Sequence, residues 1–268
     1  MVKITYACLI YKSVNWLKFV YEEFNKYTKL NENDEFYFVA NDACDEVLEY
    51  LKNNNIPHYI HTNNNEQRKE WYINNIYRAW NTSAKNAKGD YIIFLNSDMA
   101  FSNDWNINLI KYIDDNKCIN SRLVERGPPN GLPTMDGGHG IEKNFGNNYN
   151  DFNSLEFNIY ANYIKEEKLV SGGLYMPMII KNDHLKKINY YPEGNITVES
   201  FNKLSISDPD KFKEFEYEYA TEEGVYKLGL GCVPGDKVLI KKLEMINVHH
   251  FTSFNSIVYH VQQGEMNN

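Results

Sequence analysis

Asn96 and Asp98 stand two residues apart at the end of the apolar run Tyr91-Ile92-Ile93-Phe94-Leu95, which itself follows the turn signal Lys88-Gly89-Asp90. A short apolar run closed by two oxygen-bearing side chains reads as a buried strand that delivers a polar site at its C-terminal end. Open α/β sheets bind ligands at that end. The Asp98 carboxylate could hold a hard cation, while the Asn96 amide could add a neutral oxygen or orient a bound water. The same residues could instead form an Asx turn that caps the next segment.

Such a site needs neighbouring strands, and the chain before it supplies them. Residues 3–11 are apolar and β-prone, and residues 15–24 repeat apolar positions at helical spacing. Residues 35–40 read as a second strand, followed by the polar loop Asn41-Asp42-Ala43-Cys44-Asp45 and the helical positions Val47, Leu48 and Leu51. Residues 57–61 give a third strand and residues 71–87 a long helix that ends at Lys88-Gly89. Three strand-helix units feeding a fourth strand predict an α/β fold with a mostly parallel central sheet and right-handed crossovers.

Beyond Asp98, residues 105–113 and 152–167 read as helices, and Asp183 is positioned to cap another over 183–188. Residues 126–133 and 136–140 are dense in Gly and Pro, and a long loop of this kind is expected over a ligand cleft. The glycines of Ser171-Gly172-Gly173 either let a substrate approach the backbone or mark a bulge. Ser207 should open a short helix, the acidic run from Glu214 to Glu223 should face solvent, and residues 238–248 alternate as a terminal strand, leaving His249-His250 to begin the tail. No repeat or low-complexity linker divides the 268 residues, so one domain is expected.

Composition narrows the partners. A net charge of −8 and a pI near 5.4 argue against a surface dedicated to nucleic-acid phosphates. Cys8, Cys44, Cys118 and Cys232 lack metal-type pairing and read as free thiols of a reducing compartment. The N-terminal residues resemble a strand rather than a signal peptide, and no apolar run approaches membrane-spanning length, so a cytoplasmic protein is expected. An aromatic share of 15% fits either a polar ligand groove or an aromatic core.

The segment from Arg78-Ala79-Trp80-Asn81 through Ala87-Lys88-Gly89-Asp90-Tyr91 to Asn96-Ser97-Asp98, with Trp105 beyond, resembles the centre of GT-A glycosyltransferases of family 2. The resemblance implies a GT-A type single domain, with a nucleotide-sugar-binding half over residues 1–115 and an acceptor-binding, catalytic half over 116–268. It implies sugar transfer from a nucleotide-diphosphate sugar, with a UDP-sugar favoured, to a hydroxyl acceptor such as a glycan. Inversion and a divalent cofactor, Mn²⁺ or Mg²⁺, follow from the same likeness. Asp98 would reach the metal that bridges the two phosphates, where it offsets the charge of the leaving pyrophosphate.

By the same resemblance, Asn41, Asp42, Arg78, Asn81, Asn96, Ser97, Gly172 and Gly173 would line the donor, and Asp136 and His139 the acceptor. A late histidine is a frequent further metal ligand, and His249 or His250 fills that place. Successive strand residues point oppositely, so one of the two would face the metal. The base that takes the acceptor proton belongs in an acidic pair at a helix start. Glu223 is the first choice and Glu222 the second, with Asp236 and Glu199 behind. Asn96 in place of the commoner Asp, and the absence of an Asp-Gly-Ser pattern after the second strand, leave a noncatalytic sugar- or nucleotide-binding module as the alternative. A nucleotidyltransferase would need a Gly-rich phosphate loop near the first strand, and Leu9-Ile10-Tyr11-Lys12-Ser13 is not one.

Overall fold

The computed structural model describes residues 2–127, 139–196 and 234–261. Strand β1 (Ile4–Ile10) is fully buried, and helix α1 (Val14–Tyr27) starts where the Ser13 hydroxyl accepts from the Trp16 amide. That bond satisfies one of the amides a helix start leaves open. Trp16, Leu17, Val20 and Phe24 then recur on the face that α1 turns to the sheet. Strands β2 (Glu35–Asn41) and β3 (His58–His61) follow, separated by helix α2 (Asp45–Asn53). Helix α3 (Ile73–Asn86) leads into β4 (Tyr91–Asn96), so the first half keeps the strand-helix order predicted from the sequence.

The second half departs from the prediction. Asp98 lies in a tight turn, after which β5 (Met99–Phe101) precedes α4 (Trp105–Ile110). Strand β6 (Lys117–Glu125) and the two-residue β7 (Ile141–Glu142) fall where the sequence pattern predicts no element, because short strands without strict alternation carry little pattern. Helix α5 (Ser154–Ile164), β8 (Leu169–Ser171), β9 (Met178–Lys181) and α6 (Asn182–Lys187) come next. The cap residue of α6 is Lys181, not Asp183.

The largest correction is at the C-terminal end. The predicted strand over 238–248 is helix α7 (Gly235–Met245), whose Gly235, Val238 and Leu239 recur at helical spacing and are buried. The β-branched Val238 and Ile240 imitated alternation. The supposed tail is β10 (His249–His260), the longest strand among the described residues and almost wholly buried. The centre of the Gly/Pro-rich loop, the helix expected at Ser207 and the acidic run lie outside the described residues.

Among the described residues one sheet contains all ten strands, in the order β3-β2-β1-β4-β9-β6-β10-β5, with β7 on β6 and β8 on β10. Strands β3, β2, β1 and β4 pair in parallel, as do β6 and β10. Strand β9 is antiparallel to both β4 and β6, which makes those two run the same way. The sheet is therefore mostly parallel, with helices on it. Tyr6, Phe24, Phe101 and Trp105 pack edge-on or stacked in its centre, and Tyr77, Trp80, Phe94 and Tyr191 form a second aromatic group. Much of the aromatic surplus is thus core. Among the described residues the cysteines are unbonded, and no helix is long and apolar enough to cross a membrane.

Candidate active site

Because β1, β2, β3, β4, β6 and β10 share one direction, Ile10, Asn41, His61, Asn96, Glu125 and His260 end on one edge of the sheet. Asn96 is half-buried at the last position of β4, and Ser97 and Asp98 are buried in the turn that follows. Strand β5 pairs antiparallel with β10, setting Met99 opposite His260, and the Val261 amide donates to the Asp98 carbonyl at 3.0 Å. The backbone thus fastens the Asp98 turn to the end of β10.

The side chains converge at the same place. His260 Nδ1 lies 3.0 Å from Glu125 Oε1, its register partner on β6, and His260 Nε2 lies 3.5 Å from Asp98 Oδ1. Burial opposes the imidazolium, yet the Asp98 and Glu125 carboxylates outweigh it and raise His260 to about 10. The first contact is a hydrogen bond; the second is long for one. It suits two donors sharing one octahedral ion, whose adjacent ligands stand about 3 Å apart. A histidine whose second nitrogen meets a carboxylate is also the usual arrangement behind a metal-binding imidazole. The donor set therefore fits a divalent cation held by Asp98 and His260, with Glu125 orienting the ring. No cluster of three or more His, Cys, Asp and Glu side chains closes a metal cage among the described residues, so the other ligands would come from solvent or substrate.

Asp42 stands at a left-handed φ of 47° just past β2. Its carboxylate accepts from the Asn63 amide at 3.0 Å and Asn63 Nδ2 at 2.8 Å, and pairs with Arg68 Nη2 at 2.6 Å. Burial pushes the Asp42 pKa up, but Arg68 and Asn63 win and hold it below the usual carboxylate value. The Asn41 side chain accepts from Asn63 as well, at 3.2 Å. Helix α2 instead starts at Cys44 without a side-chain cap, so Asp42 does not cap it. Arg68 was not singled out in the sequence, since nothing local links it to Asp42.

Arg78 is buried on α3, with Nη2 on Glu70 at 2.5 Å and Nη1 on Asn75 at 3.3 Å. The Asn81 side chain donates to the Tyr191 carbonyl at 3.0 Å and to Glu193 at 3.1 Å, and accepts from the Tyr191 amide at 3.0 Å. Asn81 thus pins the segment after α6 onto α3.

Gly172, Gly173, His139 and His250 form a separate group. The Gly172 amide donates to the His250 carbonyl at 2.8 Å, and His139 Nε2 lies 2.9 Å from the Ser171 carbonyl oxygen. Gly173 has a φ of 135° and crosses so close to β10 that a Cβ would overlap Thr252 Oγ1. Only glycine fits there. The His250 ring stacks on Tyr175 at 5.8 Å, and burial pushes it down to about 4. His249 binds Asn247 at 3.1 Å. Both histidines open β10 opposite Lys117 and Cys118, whereas Glu125 marks the level of His260. At about 3.3 Å per strand residue, roughly 23 Å separates His250 from the Asp98 end. The late histidine beside Asp98 is His260, which reading residues 249–260 as a tail concealed.

Asp236 opens α7 one residue after Gly235, whose α-carbon is pressed against Tyr77 so that a Cβ would lie 2.6 Å from its ring. Tyr77 Oη donates to Asp236 Oδ2 at 2.9 Å, while Asp236 Oδ1 is buried with no hydrogen-bond partner among the described residues. Burial pushes Asp236 up to about 7, against the pull of Tyr77 and Lys237. Tyr77 stands in the second turn of α3, so its bond to Asp236 sets the start of α7 beside the N-terminal end of α3. Asp136, Glu199, Glu222 and Glu223 lie outside the described residues.

The profile described as glycosyl transferase family 2 matches residues 11–163. No curated protein matches the chain in sequence. Among solved structures, residues 1–349 of TarS from S. aureus share 12% identity at a TM-score of 0.52, covering 96% of this chain and 60% of that one. GalNAc-T7 with UDP, GalNAc and Mn²⁺ shares 14% at a TM-score of 0.54, covering 97% and 44%. The mannosyltransferase PcManGT from Pyrobaculum calidifontis, in complex with GDP-Man and Mn²⁺, shares 9% at 0.53, covering 96% and 56%. The chain spans about half the length of these structures, and at such identities the likeness concerns the fold, that of GT-A enzymes.

Proposed function

Since the chain belongs to glycosyl transferase family 2 and is a glycosyltransferase, we propose that it moves a sugar from a nucleotide-diphosphate sugar to a hydroxyl acceptor with inversion, using a divalent metal at Asp98 and His260. The observation that carries this reading is the Glu125–His260–Asp98 alignment at the sheet edge. Two of the similar structures contain Mn²⁺ together with UDP or GDP-Man, which supports a nucleotide-sugar donor.

When bound, Mn²⁺ or Mg²⁺ would neutralise the charge that gathers on the departing pyrophosphate. Asp98 would supply the anionic ligand, and His260 would supply Nε2 in its deprotonated form. Glu125 holds the ring with Nδ1 protonated and Nε2 toward Asp98. Asn96 orients the ribose or a water beside Asp98. Asn41 and Asp42, braced by Asn63 and Arg68, receive the nucleoside; Gly172, with open space where a Cβ would stand, and Gly173, closed against Thr252, hold their proposed donor role on sequence grounds alone. Arg78 and Asn81 shape the donor wall from behind, through the contacts they make to Glu70 and Tyr191.

Asp236 takes the acceptor proton. A buried carboxylate with a pKa near 7 is a far better base at neutral pH than an exposed one. Glu223 and Glu222 hold the same proposed role on sequence grounds, with Asp136 and His139 proposed to touch a glycan acceptor. Calorimetry with UDP- and GDP-sugars, with and without Mn²⁺, followed by product analysis tests the reading. Donor binding that Mn²⁺ strengthens, followed by transfer with inverted anomeric configuration, is expected. Binding indifferent to Mn²⁺ contradicts the metal assignment.

A further inference from the structure

Helix α5 carries Leu155, Ile159 and Tyr163 at successive turns, and they are 73%, 63% and 85% exposed. A surface helix normally turns polar residues to water, so an apolar outer stripe calls for something to cover it. Beside the stripe, Asn162 of α5 and Lys165 at its C-cap help to line a cavity of about 380 Å³ together with Lys26, Tyr27, Lys29, Asn103 and Asp104. Lys165 Nζ is anchored on the Asn103 carbonyl at 2.8 Å, and Lys29 pairs with Asp104 at 2.5 Å. Two further exposed apolar residues border the same place. Leu30 follows Lys29, and Ile107 follows Asn106, whose side chain accepts from the Lys29 amide and donates to its carbonyl.

We propose that this face docks on an anionic lipid bilayer, with lipid phosphates entering the lysine-lined cavity and Leu155, Ile159, Tyr163, Leu30 and Ile107 entering the headgroup boundary. Apolar side chains framed by lysines are what an interfacial surface requires. The charge around the cavity supports that occupant. Three lysines face one acidic residue there, on a chain whose net charge is −8. Two nearby acids are paired with lysines of their own, Glu166 with Lys168 and Glu167 with Lys111. A second copy of the chain fits less well, since a two-fold contact through this face would set its cavity lysines against their own copies. Strand β5 starts one residue after Asp98 and ends two before Asn103. At about 3.4 Å per extended residue, a bilayer on this face stands within roughly 17 Å of the metal-binding turn.

The test is co-sedimentation of the chain with phosphatidylglycerol vesicles and with pure phosphatidylcholine vesicles, alongside light scattering of the protein alone. Binding to the anionic vesicles is expected, weakened by high salt and at least tenfold weaker to phosphatidylcholine. Ile159→Asp with Tyr163→Asp should abolish it, and Lys26→Gln with Lys29→Gln should weaken it by about fivefold per lysine. All four positions are on the surface, and unchanged circular dichroism will verify the fold. Absence of binding to phosphatidylglycerol overturns the proposal. So does binding indifferent to these substitutions, a dimer that Ile159→Asp dissolves, or inorganic phosphate that binds the cavity while vesicles do not. None of these outcomes bears on the metal site, which Asp98→Ala tests separately.

Discussion

Asp98 and His260 face each other at 3.5 Å because the turn after β4 and the end of β10 are bonded through the Asp98 carbonyl and the Val261 amide. Backbone pairing therefore sets the distance, and Glu125 sets the ring angle. Removing the partner of a metal-binding imidazole typically costs 10–100-fold in metal affinity. Glu125→Gln should weaken Mn²⁺ binding by about that factor, and His260→Ala by more. Titration of Mn²⁺ followed by electron paramagnetic resonance measures both. His249→Ala and His250→Ala should leave the affinity unchanged, and a loss in either would return the metal to the start of β10.

Asp236 makes a prediction in pH. As a base it must be ionised, so turnover should rise with pH through about 7 and level off above. Asp236→Asn should keep donor binding and lose turnover by about a hundredfold or more. Stability supplies an independent readout. A carboxyl raised from its ordinary value to about 7 binds its proton more tightly in the folded state, so its contribution falls as pH rises toward 7 and is lowest above. Asparagine can still accept from Tyr77 and removes that penalty. The melting temperature of Asp236→Asn should exceed that of the wild type at pH 8, with the gap shrinking toward pH 5. Normal turnover in Asp236→Asn together with its loss in Glu223→Gln would move the base to Glu223.

Asp42 has the opposite sign. Its pKa is lowered in the fold, so its contribution is present above the ordinary carboxylate value and is lost as pH falls through the lower, folded one. Asp42→Asn should cost about 1 kcal/mol at neutral pH and flatten the acid side of the stability curve, because Arg68 is half exposed and screened. Chemical denaturation between pH 2 and 7 measures this. If Asp42 also receives the nucleoside, the same variant raises KM with little change in kcat.

Asn81 should behave as a structural residue. Asn81→Ala breaks three hydrogen bonds to the Tyr191–Glu193 segment and leaves the Tyr191 backbone groups without these partners. A loss of about 1–3 kcal/mol is expected. Urea denaturation together with donor titration separates the effects. A stable variant with a large rise in KM would instead place Asn81 in direct contact with the donor.

The parts of this architecture that were legible in the sequence share a cause. The strand ending at Asn96 is continuous and apolar, and α1 and α3 keep clear helical spacing, so pattern alone located them and the site edge. The turn at Asp98 followed from the same run. Strand β10 was missed because His249, His250, Thr252, Ser253, Asn255 and Ser256 interrupt its hydrophobicity, and these polar residues are tolerated inside only by bonds to distant partners. Ser253 donates to the Asn108 carbonyl and Ser256 to that of Trp105. No local rule anticipates such partners. His260 disappeared with the strand. Arg68 was invisible for the same reason, since its link to Asp42 exists only once β2 and the turn after β3 are side by side.

The most direct measurement is nucleotide-sugar turnover by Asp98→Ala in the presence of Mn²⁺, with the fold verified by circular dichroism. The wild-type chain should hydrolyse or transfer from a UDP- or GDP-sugar only with the metal present. The variant should lose about a thousandfold, the scale of several kcal/mol of charge stabilisation. A folded Asp98→Ala protein with wild-type turnover would contradict the account.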